Sequence, residues 1–301
     1  MAAGIGRNRS ADDPTKAGTQ SGQRMTTSQI DFVAFAPDHL DGAVRLSRAA
    51  SWPHRREDWE MVLRMSTGFV ALDGEQVAGT AMLTPYGLDA AMVNMIIVDQ
   101  VLRGRGIGRR LMGLALREAG DRACRLTATP DGMKLYRSVG FRPEGEVAQH
   151  QGRLGHVEPG RLCAWAGPEA AADIARLDRQ ATGLDRSRLI AALFEQAQLA
   201  TLARDGRIAG FAAVRPFGRG EVAGPVVAGS QADAQALLAF VFAARPGAFM
   251  RVDTPAHDAL GPFLERHGLP QVDTAIPMQR GVDARAPGPM QTYALASQAL
   301  G

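Results

Sequence analysis

The stretch from Val93 to Gly120, VNMIIVDQVLRGRGIGRRLMGLALREAG, constrains this chain more than any other part of it. Met95-Ile96-Ile97-Val98 has the length and β-branched content of a buried strand. Arg103-Gly104-Arg105-Gly106-Ile107-Gly108 follows, and then a helical pattern whose apolar side is marked by Ile107, Leu111 and Leu114. A strand, a glycine-rich turn and a helix start together form an anion cradle. Glycines let the backbone approach a phosphate, and the first amides of the helix have no partner of their own. The helix dipole and the side chains of Arg103, Arg105, Arg109 and Arg110 add to the pull. A diphosphate suits this turn, with a plain strand-to-helix connection as the competing reading.

Spacing narrows the choice of diphosphate. A Walker loop needs lysine and then Ser or Thr after its last glycine, and Arg109-Arg110 follows Gly108. A dinucleotide fingerprint needs a third glycine three residues after the second, where this chain has Arg109 or Leu111, depending on which pair starts the count. The pattern that fits is Arg-x-x-Gly-x-Gly, Arg103 to Gly108, and here the chain resembles the GNAT superfamily of acyl-CoA-dependent N-acetyltransferases. A second motif strengthens the resemblance. Leu135-Tyr136 and Gly140-Phe141 match the helix ending in Leu-Tyr-x-x-x-Gly-Phe that such enzymes carry downstream of the turn. Gly140 has the position of a helix C-cap and Phe141 opens the next strand.

The resemblance implies an α/β fold: a mixed, mostly antiparallel and splayed sheet flanked by helices. It implies acetyl-CoA as cosubstrate, with Ile96, Ile97 and Val98 as the strand edge for the pantetheine arm. Arg103, Gly104, Arg105, Gly106, Ile107, Gly108 and Arg109 would form the pyrophosphate turn. Thr129 stands where many members have a cofactor-contacting Asn, and its hydroxyl has a shorter reach. Tyr136 is the expected cofactor neighbour and general acid. The segment Ser51 to Trp59 falls in the region that walls the acceptor site, which makes Trp52 and Trp59 the expected substrate-binding residues, against the competing reading that both indoles pack on the sheet. Direct attack by an acceptor amine needs no Ser or Cys nucleophile, and no metal is expected. His54, Glu57 and Asp58 lie in the acceptor-side segment, and none is assigned as the base.

At 301 residues the chain suits about two domains. Residues 1–28, rich in small and polar residues, read as a disordered tail without a signal core, and Met25 is an alternative start. The division expected is a catalytic domain over 29–158 and a second, degenerate copy over 159–301. Asp73-Gly74, Val77-Ala78-Gly79 and Pro85-Tyr86-Gly87 recur as Asp205-Gly206, Ile208-Ala209-Gly210 and Pro216-Phe217-Gly218. Thr254-Pro255 echoes Thr129-Pro130. The copy lacks the cradle: Gly229-Ser230-Gln231-Ala232-Asp233 stands in its place, Asp233 opposes an anion, and Phe263 stands near the tyrosine position. The arrangement resembles bacterial two-domain members whose second half does not bind CoA and either completes the acceptor pocket or packs against the first.

A net charge of +3, spread without dense basic runs, argues against nucleic acid as a partner, and no apolar run approaches a membrane span. Cys124 and Cys163 have no metal-type spacing, so a reduced, cytoplasmic protein is expected, with a single disulfide left open. The expected function is acetyl transfer to a primary amine of a small molecule or peptide. The alternative is a non-catalytic CoA-binding sensor. A homodimer stays open.

Overall fold

The computed structural model describes residues 29–160, 162–255, 257–282 and 288–301, without the side chains of 257 and 258. The expected tail over 1–28 lies outside the described residues. The first half runs β1 (Ile30–Ala34), α1 (Leu40–Ala49), α2 (Arg56–Met65), β2 (Thr67–Asp73), β3 (Gln76–Tyr86), β4 (Ala90–Val98), α3 (Ile107–Ala119), β5 (Ala123–Ala128), α4 (Met133–Ser138), β6 (Arg142–Pro143) and β7 (Val147–Arg153). The second half repeats that order. It runs β8 (Cys163–Trp165), α5 (Ala171–Thr182), α6 (Ser187–Gln196), β9 (Gln198–Arg204), β10 (Arg207–Phe217), β11 (Gly220–Ala228), α7 (Gln231–Ala243), β12 (Phe249–Thr254), α8 (His257–Arg266) and β13 (Gln271–Arg280), and it closes with β14 (Gln291–Ala294).

Pairing within each half is antiparallel except between β4 and β5 and between β11 and β12, which run parallel. The β4–β5 pairing covers only Ala90, Ala91 and Met92 against Ala123, Cys124 and Arg125. Beyond Met92 the two strands part, and that divergence opens the site described below. A bulge in β4 accentuates it: Thr80 faces Ile97 and Met82 faces Asn94, so Met95 and Ile96 share one partner position. Met95 takes a left-handed φ of 51° there, and its carbonyl accepts from the Thr80 hydroxyl at 2.7 Å.

The two sheets are joined by exchanged strands. β13 starts beside β7, with Thr274 opposite Ala148, and ends beside β5, with Met278 opposite Leu126. β6 pairs with the far end of β13, and β7 continues on to pair along β12, Arg251 opposite Gln151. A cut at residue 158 falls in the connection between β7 and β8, yet each sheet draws an inner strand from the other half. One apolar core also spans both halves, with Leu46, Trp59 and Met61 in the same cluster as Leu189, Leu193 and Phe211. No helix among the described residues is long and apolar enough to cross a membrane.

The buried stripe of α3 is Ile107, Leu111, Met112, Ala115 and Ala119. Leu114, expected on that stripe, is only half-buried. The two cysteines are free thiols.

Candidate active site

The turn Arg103 to Gly108 lies at the end of the diverging strand. Gly104 and Gly106 adopt left-handed φ values of 79° and 80°, which any side chain would make costly. Positions for a Cβ on either glycine face open space, so the requirement is for backbone shape and leaves room for a ligand. Gly106 is the residue before α3, and no side chain caps that helix start. The first helical bond runs from the Arg110 amide to the Gly106 carbonyl, which leaves the amides of Ile107, Gly108 and Arg109 directed outward. The residues therefore fit a diphosphate. Ile107 anchors the turn by its buried side chain. Arg103 pairs with Asp131, 3.0 Å away on the β5 side, and Arg109 donates to the Ser138 hydroxyl at 3.2 Å. Both are exposed contacts of the kind that yield readily to a stronger anion.

The corresponding helix start in the second half is built differently. The start of α7 is capped, the Ser230 hydroxyl accepting from the Asp233 amide at 3.2 Å, and Asp233 is held by Arg204. The parting of β11 and β12 is filled by the chain itself. β14 pairs with β11, the Leu295 amide donates to the Asp253 carbonyl at 2.8 Å, and the Thr254 hydroxyl donates to the Tyr293 carbonyl at 2.8 Å. Gly224 admits this strand closely, for a Cβ there would lie 1.9 Å from the Leu295 carbonyl oxygen.

A cavity of about 530 Å³ opens between β4 and β5 and is walled by both halves. Ile96, Thr129, Tyr136 and Trp52 line it, as do Val93, Asn94 and His54 of the first half. The second half contributes Phe217, Arg219, Phe249 and Arg251, the exchanged strands Gln149, Gln151 and Asp273, and the C-terminal segment Gln298. Among the predicted strand residues, Ile97 points the other way, into the apolar core, and Val98 packs towards Gly108.

Tyr136 is 7% exposed, and its hydroxyl makes no hydrogen bond among the described residues. Burial pushes its pKa up to about 12, so it holds its proton throughout the neutral range. Gly132, one turn earlier, gives the ring its place: a Cβ there would sit 2.4 Å from Cε2 of the tyrosine.

Trp59 is corrected by the structure. It is fully buried, its indole N–H donates to the Ser47 hydroxyl at 3.0 Å, and its ring stacks on Phe35. The helical register of α2 turns Trp59 inward, while Trp52, in the loop before it, reaches the cavity. The same register takes Asp58 out of reach: it is buried against Arg55 and Arg215. Glu57 is exposed and absent from the lining, which leaves His54 as the one of these three titratable candidates at the cavity. Burial, set against the nearby Asp58 carboxylate and helped by Arg251 and Arg215, lowers its pKa to about 4, so the imidazole is neutral at pH 7.

Residues from β7, β12 and the C-terminal segment had no signal in single-sequence motifs. The alternation Gln149-His150-Gln151 and Arg251-Val252-Asp253 was visible, but which sheet face met the first domain was not. Two buried polar atoms of cavity-lining residues, His54 Nδ1 and Asn94 Oδ1, lack hydrogen-bond partners among the described residues.

Comparison with known proteins agrees with this geometry. Two models of the acetyltransferase (GNAT) domain match residues 65–143 and 174–294, together well over half of the chain. The uncharacterized N-acetyltransferase YitH of Bacillus subtilis (strain 168) is 27% identical over 290 residues, covering 90% of this chain and 98% of that protein. A crystal structure provisionally described as an acetyltransferase of Pyrococcus horikoshii superposes with a TM-score of 0.77 at 19% identity, over 98% of this chain and 100% of that one. A tandem GNAT protein of the clavulanic acid biosynthesis pathway gives 0.59 at 17% identity, over 86% and 100%. At such identities the structural likenesses speak for the fold.

Proposed function

The chain belongs to the GNAT superfamily of acetyltransferases and carries two such domains in tandem, and from that premise we propose that its first domain moves an acetyl group from acetyl-CoA to a primary amine of a small molecule or peptide by direct attack. One observation carries the reading: the uncapped, glycine-shaped start of α3 packs on α4, with Gly108 beside Leu135, and the next residue of that helix, the proton-holding Tyr136, lines the cavity between the diverging strands. Acetyl-CoA, when bound, supplies an acetyl group activated as a thioester. The chain supplies position and protons.

The amides of Ile107, Gly108 and Arg109 and the side chains of Arg103, Arg105 and Arg109 would hold the diphosphate. The edge of β4 beyond Met92, which has no strand partner on that side among the described residues, would hold the pantetheine arm, and Thr129 lines the same opening. Tyr136 keeps the proton that a departing thiolate requires, a role typically worth about 10² to 10⁴ in rate. A backbone amide near Ile96 would favour charge developing on the thioester carbonyl oxygen.

An alkylammonium is about 0.1% neutral or less at pH 7, so freeing the nitrogen lone pair costs about 4–5 kcal/mol. Neutral His54 and the Asn94 Oδ1 atom are the acceptors that could receive amine N–H groups in the cavity. With its proton affinity lowered, His54 orients the amine and passes its proton towards water rather than keeping it. An acyl-enzyme route finds little support. Cys124 is buried with its thiol pushed up by that burial, and Cys163, pushed up to about 11, is absent from the cavity lining.

The test is free-thiol release from acetyl-CoA with a panel of primary amines. Turnover with some members supports the transferase. Cofactor binding with no release for any amine would replace it with a sensor.

A further inference from the structure

Resting on the cavity as the acceptor site, we infer that the acceptor is a primary amine that also carries an oxyanion, a carboxylate or phosphate, and that Arg251 of the second domain selects it. Arg251 lies on β12 opposite Gln151 of the exchanged β7, so both side chains stand on one sheet face together with Asp253 and Gln149. Arg251 is 8% exposed and lines the cavity. Its Nε and Nη2 donate to Asp253 at 2.9–3.1 Å, and the Phe217 ring lies 5.4 Å from its carbon. Asp253 is itself fully buried and accepts from the Gln298 amide at 3.1 Å.

These contacts fix the guanidinium and leave Nη1 without a hydrogen bond among the described residues. A guanidinium held this way presents a preset N–H pair, which matches an oxyanion in geometry as well as charge. Asp253 offsets the positive charge, so recognition rests on the directed donors. Arg219 at the rim adds a second cation, and Asp273, exposed on β13, is the opposing charge.

The first-domain wall is complementary. Asn94 is 6% exposed, gives its amide N–H to the Thr84 hydroxyl at 2.9 Å, and leaves its buried Oδ1 without a partner. Asn94 of β4, with its unpartnered acceptor, and Arg251 of β12, with its donors, therefore line one cavity. A molecule with an N–H donor at one end and an oxyanion at the other satisfies both, and the aromatic rings of Trp52, Phe217 and Phe249 take an apolar body between them.

The experiment pairs amines that differ only in the anionic group: phenylalanine with 2-phenylethylamine, methionine with 3-methylthiopropylamine, and phosphoethanolamine with ethanolamine. Each is assayed by thiol release and, separately, by calorimetric titration into the protein with CoA present, which needs no turnover. The carboxylate or phosphate member is expected to bind and react at least tenfold better, the two arms distinguishing the source of the oxyanion. Arg251→Gln should raise KM for the anionic member at least tenfold and abolish most of its advantage over the uncharged partner. Because that change orphans Asp253, the double variant Arg251→Met with Asp253→Leu and the single Arg219→Ala are assayed beside it, with acetyl-CoA affinity as the control for folding. Equal binding of paired amines, or an unchanged preference in a folded Arg251 variant, overturns the inference while the transferase stands. Binding of the anionic members without thiol release would sink the transferase and keep the oxyanion site.

Discussion

Arg215 of β10 donates from Nη1 to Asp58 Oδ1 at 2.8 Å, and both side chains are only 4% exposed. This ion pair joins the two halves directly behind the cavity, since Arg215 also lies 5.1 Å from the Phe217 ring and Asp58 starts the helix that follows His54. Asp58 is further held by the Arg55 amide and side chain. Buried charges of this kind are costly to leave alone, while an apolar replacement of the pair is often tolerated.

Asp58→Leu alone is therefore expected to destabilise the protein by about 3–5 kcal/mol, whereas combining it with Arg215→Met should recover most of that loss. Chemical denaturation of the four members of the cycle checks it. Additive losses would mean that the pair is not coupled.

Tyr136→Phe should lower turnover by about 10² to 10⁴ and leave acetyl-CoA affinity within about twofold. Gly132→Ala should do much the same, because a Cβ there meets the ring and displaces it. Steady-state kinetics beside cofactor titration separates the two quantities. A Gly132→Ala enzyme with full turnover would mean that the ring position is not what matters.

Acid should weaken the fold through His54. Its folded pKa of about 4 lies below the ordinary value of 6.5, so between those pH values the unfolded chain binds a proton that the folded one refuses. Stability then rises with pH across that window and is lost as pH falls through it, by about 3 kcal/mol at most. His54→Gln should flatten this part of the stability profile, measured as denaturation midpoints from pH 4 to 7. An unchanged slope would place the titration elsewhere.

Much of the cofactor side was legible because it is local. One strand, two left-handed glycines and a helix start are contiguous from Met95 to Ile107, and their geometry follows from residue type. The different start of α7, capped by Ser230, is local in the same way. The acceptor side was not. Trp59 misled because composition alone does not tell which side of α2 faces the core, and the Ser47 partner that fixes it lies on another helix. Arg251, Gln149 and Gln298 reach the cavity only through strand exchange and through β14, pairings between residues far apart in the chain. Local pattern carries no information about those.

The central claim is that the chain holds acetyl-CoA at a single place, the backbone turn before α3, since the corresponding opening of the second half is occupied by β14. Isothermal titration of acetyl-CoA into the full chain tests it directly, alongside Gly106→Asp, which adds a strained side chain and a negative charge to the turn. The account predicts one site per chain, lost in the variant while the fold is retained. Two sites per chain, no binding at millimolar cofactor, or full affinity in a folded Gly106→Asp protein would contradict it.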